Sequence, residues 1–112
     1  MANNPEMAFL GTARRLGEVQ ADGLVLTREH EITHFFLACD DEVALRKALW
    51  EQGFQVSERQ GTPGLEARRK ELLSVGNLKE VVGKLCRTAD KYAAQYDGWN
   101  VTARLNRSGD DH

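Results

Sequence analysis

The sequence predicts an α+β fold: a four-stranded antiparallel sheet with two helices on one face, preceded by a short N-terminal helical segment. Three observations predict it. Residues Arg28 to Ser57 read as strand, helix, strand. A turn-rich stretch around Pro63 leads into a further strand from Leu65 to Glu71. A long amphipathic stretch from Asn77 to Ala93 is then followed by strict alternation from Trp99 to Leu105.

Taken in order, Met7 to Gln20 has a weak helical pattern, with residues 1–6 frayed. In that pattern Gly11 and Gly17 lower helix propensity, and Asp22-Gly23 is a stop. Leu24-Val25-Leu26 reads as a short extended lead into the first strand. That strand, Ile32-Thr33-His34-Phe35-Phe36-Leu37-Ala38-Cys39, is aromatic and β-branched, as a buried strand should be. Asp40-Asp41 supplies a helix N-cap and first-turn acids. Val43, Ala44, Leu45, Ala48, Leu49 and Trp50 form the apolar side of the helix that follows, and Gly53 is its C-terminal stop. Phe54-Gln55-Val56-Ser57 is the second strand.

Gln60-Gly61-Thr62-Pro63-Gly64 is a turn. A short loop after a strand favours a hairpin, so Leu65 to Glu71 is read as the third strand. Leu65 and Ala67 then fall on one face and Glu66, Arg68 and Lys70 on the other. Asn77 with Glu80 three residues later resembles a capping box. The helix it opens carries Leu78, Val81, Val82, Leu85, Cys86, Ala89, Tyr92 and Ala93 as a sustained stripe. Tyr96-Asp97-Gly98 ends that helix, with Gly98 at positive φ and Trp99 plugging the edge of the core. Trp99, Val101, Ala103 and Leu105 form a half-buried last strand. Strand, helix, strand, strand, helix, strand is the split βαβ order of the ferredoxin-like sandwich. It leaves one sheet face to be covered by the N-terminal segment, a second copy or a partner.

The chain has 112 residues, 41% hydrophobic and 29% charged, which is the composition of one soluble globular domain spanning residues 1–112. A net charge of −2 gives no whole-protein attraction for nucleic acid. No run reaches the length of a membrane span, and the N-terminus lacks the pattern of a signal peptide, so the expected compartment is the cytoplasm. Cys39 and Cys86 lie inside expected elements and read as small buried hydrophobes rather than a disulfide.

No constellation for catalysis is evident. His30 and His34 sit on one strand face about 13–14 Å apart, too far to share a metal ion, and no zinc spacing is present. Cys39 and His34 point to opposite strand faces, so they do not make a nucleophile–base pair. Asp40-Asp41-Glu42 is explained by the helix N-terminus, and no phosphate-binding glycine loop occurs. The basic cluster is Arg68-Arg69-Lys70 with Arg59 upstream. Base stacking on the two central strands finds Phe35 or Phe36 on the first and no aromatic on the third, which disfavours RNA readout. Neither a cofactor nor a metal is expected.

Three local strings stand out: Arg28 with Ile32, His34 and Phe35; Gly53-Phe54-Gln55-Val56; and Ala89-Asp90-Lys91-Tyr92 running into Tyr96-Asp97-Gly98-Trp99. Together they resemble the RraB family, regulators of ribonuclease E activity. The similarity covers roughly residues 24–105. It implies a ferredoxin-like domain without enzyme activity that binds the endoribonuclease and restrains its cleavage of RNA. The chain departs from better-known members in lacking a long acidic tail: it ends Asn106-Arg107-Ser108-Gly109-Asp110-Asp111-His112. The basic Arg68-Arg69-Lys70 strand also suggests a different partner surface.

The expected function is therefore a non-catalytic regulator acting by protein–protein contact, with ribonuclease E or another protein as partner and a homodimer allowed. The expected contact residues are His34, Phe36, Arg68 and Lys70 on the open sheet face, with Trp99 at its rim. The competing readings are a ferredoxin-like module binding RNA or a small molecule, and a small enzyme in which two sheets dimerise around a deep pocket containing His34.

Overall fold

A computed structural model of the protein describes residues 5–23, 28–37, 41–59, 61 and 63–102. Its elements are α1 (Pro5–Ala21), β1 (Glu29–Leu37), α2 (Glu42–Glu51), β2 (Gln55–Glu58), β3 (Gly64–Leu72), α3 (Val75–Lys91) and β4 (Gln95–Val101). The strands form a four-stranded sheet in the order β2-β3-β1-β4, and every neighbouring pair is antiparallel. The architecture is α+β, as the pattern predicts. The extended segment expected at Leu24-Val25-Leu26, the environment of Cys39, and the strand positions Ala103 and Leu105 lie outside the described residues.

Helix ends follow local chemistry. Asp41 caps α2, its carboxylate accepting from the Ala44 amide at 3.1 Å. At the other end the Gly53 amide donates to Trp50 and the Phe54 amide to Leu49, a Schellman closure that Gly53 permits at φ +93°. The same closure ends α3: Ala93 donates to Asp90 and Ala94 to Ala89. There the left-handed position is filled by Ala93 at φ +55°. The start of α3 differs from the expected capping box. Ser74 is the cap, its hydroxyl accepting from the Asn77 amide at 3.1 Å, and Asn77 sits inside the first turn with its side chain donating to the Leu72 carbonyl. Ser74 and Asn77 are both capping residue types, and only the chain path from β3 into the helix selects the first.

The end of α3 is also earlier than expected. Tyr96-Asp97-Gly98 belongs to β4, where the pairing with β1 shifts register between His34 and Phe36. Gly98 at φ +100° takes up the extra residue, so that Tyr96 and Trp99 both turn toward the helices. A second glycine is dictated by close approach. Gly64 opens β3 opposite Leu37, and a Cβ there would overlap the Phe36 carbonyl oxygen.

The core lies between the sheet and α2 with α3. Ile32 and Phe36 from β1, Leu65 and Ala67 from β3, Leu45 and Leu49 from α2, and Leu78, Val82 and Leu85 from α3 are buried in it. Burying each large apolar side chain contributes about 1.5–3 kcal/mol. Helix α1 packs on α3 and β4 and adds Leu16 and Val19 to this cluster. Trp50 and Val43 depart from the expected stripe: they are 70% and 80% exposed, because α2 seats itself through Leu45 and Leu49 one turn apart.

The left-handed alanine yields a prediction. Ala93→Gly removes the Cβ strain at that closure, and stability rises by about 0.5–1 kcal/mol, read as a higher urea midpoint with an unchanged slope.

Candidate functional site

The register of β1 on β3 decides which side chains meet. His34 pairs with Ala67, Ile32 with Arg69 and Phe36 with Leu65. Directly paired residues share a face. Even-numbered residues of β1 therefore lie with odd-numbered residues of β3, under the helices. Arg68 and Lys70 project from the opposite face, beside Thr33 and Glu31. The expected grouping of His34 and Phe36 with Arg68 and Lys70 is thus corrected. His34 and Phe36 are fully buried, and Trp99, paired with His34 from β4, is buried too.

Under the helices the sheet carries a chain of polar side chains. The His34 Nδ1 lies 2.8 Å from the Tyr96 hydroxyl, and its Nε2 lies 2.7 Å from Glu71 Oε1. Glu71 Oε2 accepts from the Arg69 guanidinium at 2.8 Å, and the same guanidinium donates to the Gln52 carbonyl at 2.8 Å. Arg69 also lies over the Phe54 ring, 4.1 Å from its centroid. Among the described residues, no buried side-chain nitrogen or oxygen lacks a hydrogen-bond partner.

Charge and proton positions follow from this geometry. Burial pushes the Glu71 carboxyl up, but the hydrogen bonds and charges of His34 and Arg69 outweigh it and hold the group below the ordinary carboxylate range. An ionised Glu71 only accepts, so the His34 Nε2 carries the proton shared with it. Burial, reinforced by Cys86 and Glu71, holds the Tyr96 hydroxyl well above its ordinary value, so it remains protonated and shares a hydrogen bond with Nδ1 whose direction follows the protonation of the ring. The histidine is clamped at both nitrogens and packed edge-on against Phe54. Cys86, buried on α3, has its thiol pushed up to about 11 by burial and the nearby Asp90, which Arg87 only partly offsets. A thiol so raised is a poor nucleophile.

Trp99 has a different task. Its indole nitrogen donates to the Thr12 hydroxyl of α1 at 3.0 Å, a buried bond across the sheet edge. It thereby ties α1 to β4, which agrees with the structural role read for it.

The opposite face is the exposed one. Lys70, Gln55 and Glu31 are exposed there, and Arg68, Glu66, Ser57 and Phe35 are half-buried. Arg68 donates to the Ser57 hydroxyl at 2.8 Å. The Arg59 guanidinium lies 5.0 Å from the Phe35 ring centroid and pairs with Asp97 at 3.0 Å. The basic run is split by strand alternation: Arg68 and Lys70 face outward and Arg69 inward. His30 is half-buried opposite Glu71 on the helix side, and His112 lies outside the described residues. Among the described residues no group of three or more His, Cys, Asp or Glu is placed to hold a metal ion. No helix among them is long and apolar enough to cross a membrane.

Sequence reasoning missed Glu71, Tyr96 and Thr12 as partners. A signal for Glu71 was present. The alternation that turns Leu65 and Ala67 inward turns Glu71 inward as well, and a buried acid demands a partner. Which partner it finds depends on the pairing of β3 with β1.

Glu71→Gln tests the network. The variant loses the charge that His34 and Arg69 bind and is less stable at neutral pH by about 2 kcal/mol. Because the folded-state carboxyl is held low, its contribution is present above the unfolded value near 4.5 and fades as pH falls below it. The stability gap between the two proteins, measured by urea unfolding across pH 3–7 (about one-unit steps), therefore narrows on the acid side. A gap independent of pH would remove the ionised-carboxylate assignment.

Comparison with known proteins places this arrangement. No curated protein matches the chain. The profile described as "Regulator of ribonuclease activity B" matches residues 12–101, from the threonine that Trp99 holds to the last residue of β4. The match spans the whole sheet, α2, α3 and the second half of α1, and the chain belongs to the RraB family.

Proposed function

We propose that this protein is a single ferredoxin-like domain that binds ribonuclease E in the cytoplasm and restrains its cleavage of RNA by protein–protein contact, without chemistry of its own. The family match over residues 12–101 carries this reading. The split order of strands and helices, with the sheet order β2-β3-β1-β4, supports the ferredoxin-like assignment. The contact surface is the sheet face opposite α2 and α3, where Lys70 stands exposed beside Arg68 and the Arg59–Phe35 pair. A sheet face holds its side chains on rigid backbone, so little ordering is lost on docking. His34, Phe36 and Trp99 serve this surface through the fold beneath it and make no contact with the partner.

The RNA-binding alternative uses the same face. Phe35 is the aromatic it would need, on a central strand. The Arg59 guanidinium lies against that ring and is held by Asp97, so a stacked base would have to displace it.

Adding the protein in stoichiometric excess to purified ribonuclease E slows cleavage of a single-stranded RNA substrate. The double reversal Arg68→Glu with Lys70→Glu weakens binding about tenfold or more while leaving the unfolding free energy within about 1 kcal/mol of the parent. An unchanged cleavage rate at saturating protein overturns the regulator reading. Saturable binding to RNA alone, falling steeply with salt, would transfer the face to the alternative.

A further inference from the structure

A cavity of about 530 Å³ opens between α1 and β4, a volume in the range that small-molecule sites occupy. Its α1 wall changes character along the helix. Met7 and Ala8 stand at one end, and Arg14 and Arg15 at the other. Seven residues of helix between Met7 and Arg14 rise about 10 Å. Gly11 lies between the two ends, and a Cβ there would meet nothing within 4 Å, so the chain's own packing leaves the space in front of it unused. Tyr96, Gly98 and Trp99 contribute the facing wall from β4.

The cavity holds a buried donor that the fold leaves unspent. Thr12 is 1% exposed, and its hydroxyl oxygen accepts from the Trp99 indole nitrogen at 3.0 Å. An indole N–H only donates, so the hydroxyl keeps its own proton to give elsewhere. Among the described residues that hydroxyl makes no second hydrogen bond. Donating capacity left unused in a buried place is free energy that a bound acceptor recovers.

The charges point the same way. The charged side chains that line the cavity are Arg14, Arg15, Glu18 and Asp97. Glu18 pairs with Arg15 at 2.7 Å, and Asp97 pairs with Arg59 at 3.0 Å. Among the described residues the Arg14 guanidinium is in no ion pair. Two groups therefore remain uncommitted, a cation and a hydroxyl proton. Both call for an acceptor, and the cation calls for a negatively charged one. We propose that this cavity binds a small organic acid. Its carboxylate accepts from the Thr12 hydroxyl and lies in the field of Arg14, and its apolar body runs past Gly11 toward Met7 and Ala8, against Trp99. Neither Thr12 nor Arg14 belongs to the outward sheet face, so the site is separate from the nuclease contact.

The test titrates hydrocinnamate, a phenyl ring on a short carboxylate chain, into the isotope-labelled full chain. Hydrocinnamyl alcohol and hydrocinnamylamine are the neutral and cationic controls. Hydrocinnamate shifts the Gly11 and Gly98 amide resonances and the Trp99 indole N–H saturably, and the alcohol and amine bind about tenfold more weakly or worse. Arg14→Ala and Thr12→Val each weaken the acid about tenfold or more, whereas Thr12→Ser retains it. Gly11→Leu fills the cavity and abolishes binding. Gly17→Leu, at an α1 position outside the cavity where a Cβ also meets nothing, leaves binding unchanged. Circular dichroism checks that each variant is folded. Absence of a saturable shift up to about 10 mM hydrocinnamate overturns the proposal. So does equal binding of the acid and the alcohol, or binding of the acid that persists in folded Arg14→Ala and Gly11→Leu proteins.

Discussion

The antiparallel pairing of β1 with β3 is the constraint on which the rest depends. Setting His34 against Ala67 fixes the parity of nine consecutive residue pairs, from Glu29 with Leu72 to Leu37 with Gly64. A slip of one residue would turn every side chain of β1 to the other face. The slip is resisted in two ways on the helix side. It would expose Ile32 and Phe36, and it would strand the Glu71 carboxylate under the helices without His34. The register is secured at one end by Gly64, whose missing side chain lets β3 begin against the Phe36 carbonyl.

The polar chain from Tyr96 through His34 and Glu71 to Arg69 is an expensive way to fill a core. Ionic groups lose hydration on burial, and apolar residues of similar volume are often as stable or more so. The protein recovers that loss by saturating the donors and acceptors of the chain. The arrangement joins β1, β3, β4 and the end of α2 in one network, since Arg69 also donates to the Gln52 carbonyl. Apolar contacts tolerate small slides between elements, whereas a histidine bonded at both nitrogens does not. The network therefore holds the sheet's curvature and the position of α2 together.

The two outer surfaces follow from the same frame. Alternation that turns Arg69 toward the helices leaves Arg68 and Lys70 on the far face, so a run of three basic residues becomes two separate features. Helix α1 packs on α3 and β4. It is held by Trp99 and Thr12 at the β4 edge and by packing on α3, where its other side leaves an apolar groove.

Much of this protein was determined by its sequence alone. Hydrophobic period, caps and glycine stops are local properties, so the order of strands and helices, the Asp41 cap, the Gly53 closure, the turn before Leu65 and the positive φ of Gly98 were all legible. The placing of Leu65 and Ala67 on one face of β3 and of Glu66, Arg68 and Lys70 on the other was legible for the same reason. The family strings ending in Tyr96-Asp97-Gly98-Trp99 were legible too, although their conformation was not, because a bulge exists only relative to a paired strand. What tertiary structure alone decided is which face of one strand meets which face of another. Alternation within β1 says that His34 and Phe36 go together, and alternation within β3 says that Arg68 and Lys70 go together. Whether the two sets share a face depends on inter-strand register, a non-local quantity set by core volume and by the partner each buried polar group finds. That is why His34, expected on the open face, lies buried under the helices, and why the partner of Glu71 is defined only by the pairing of β3 with β1.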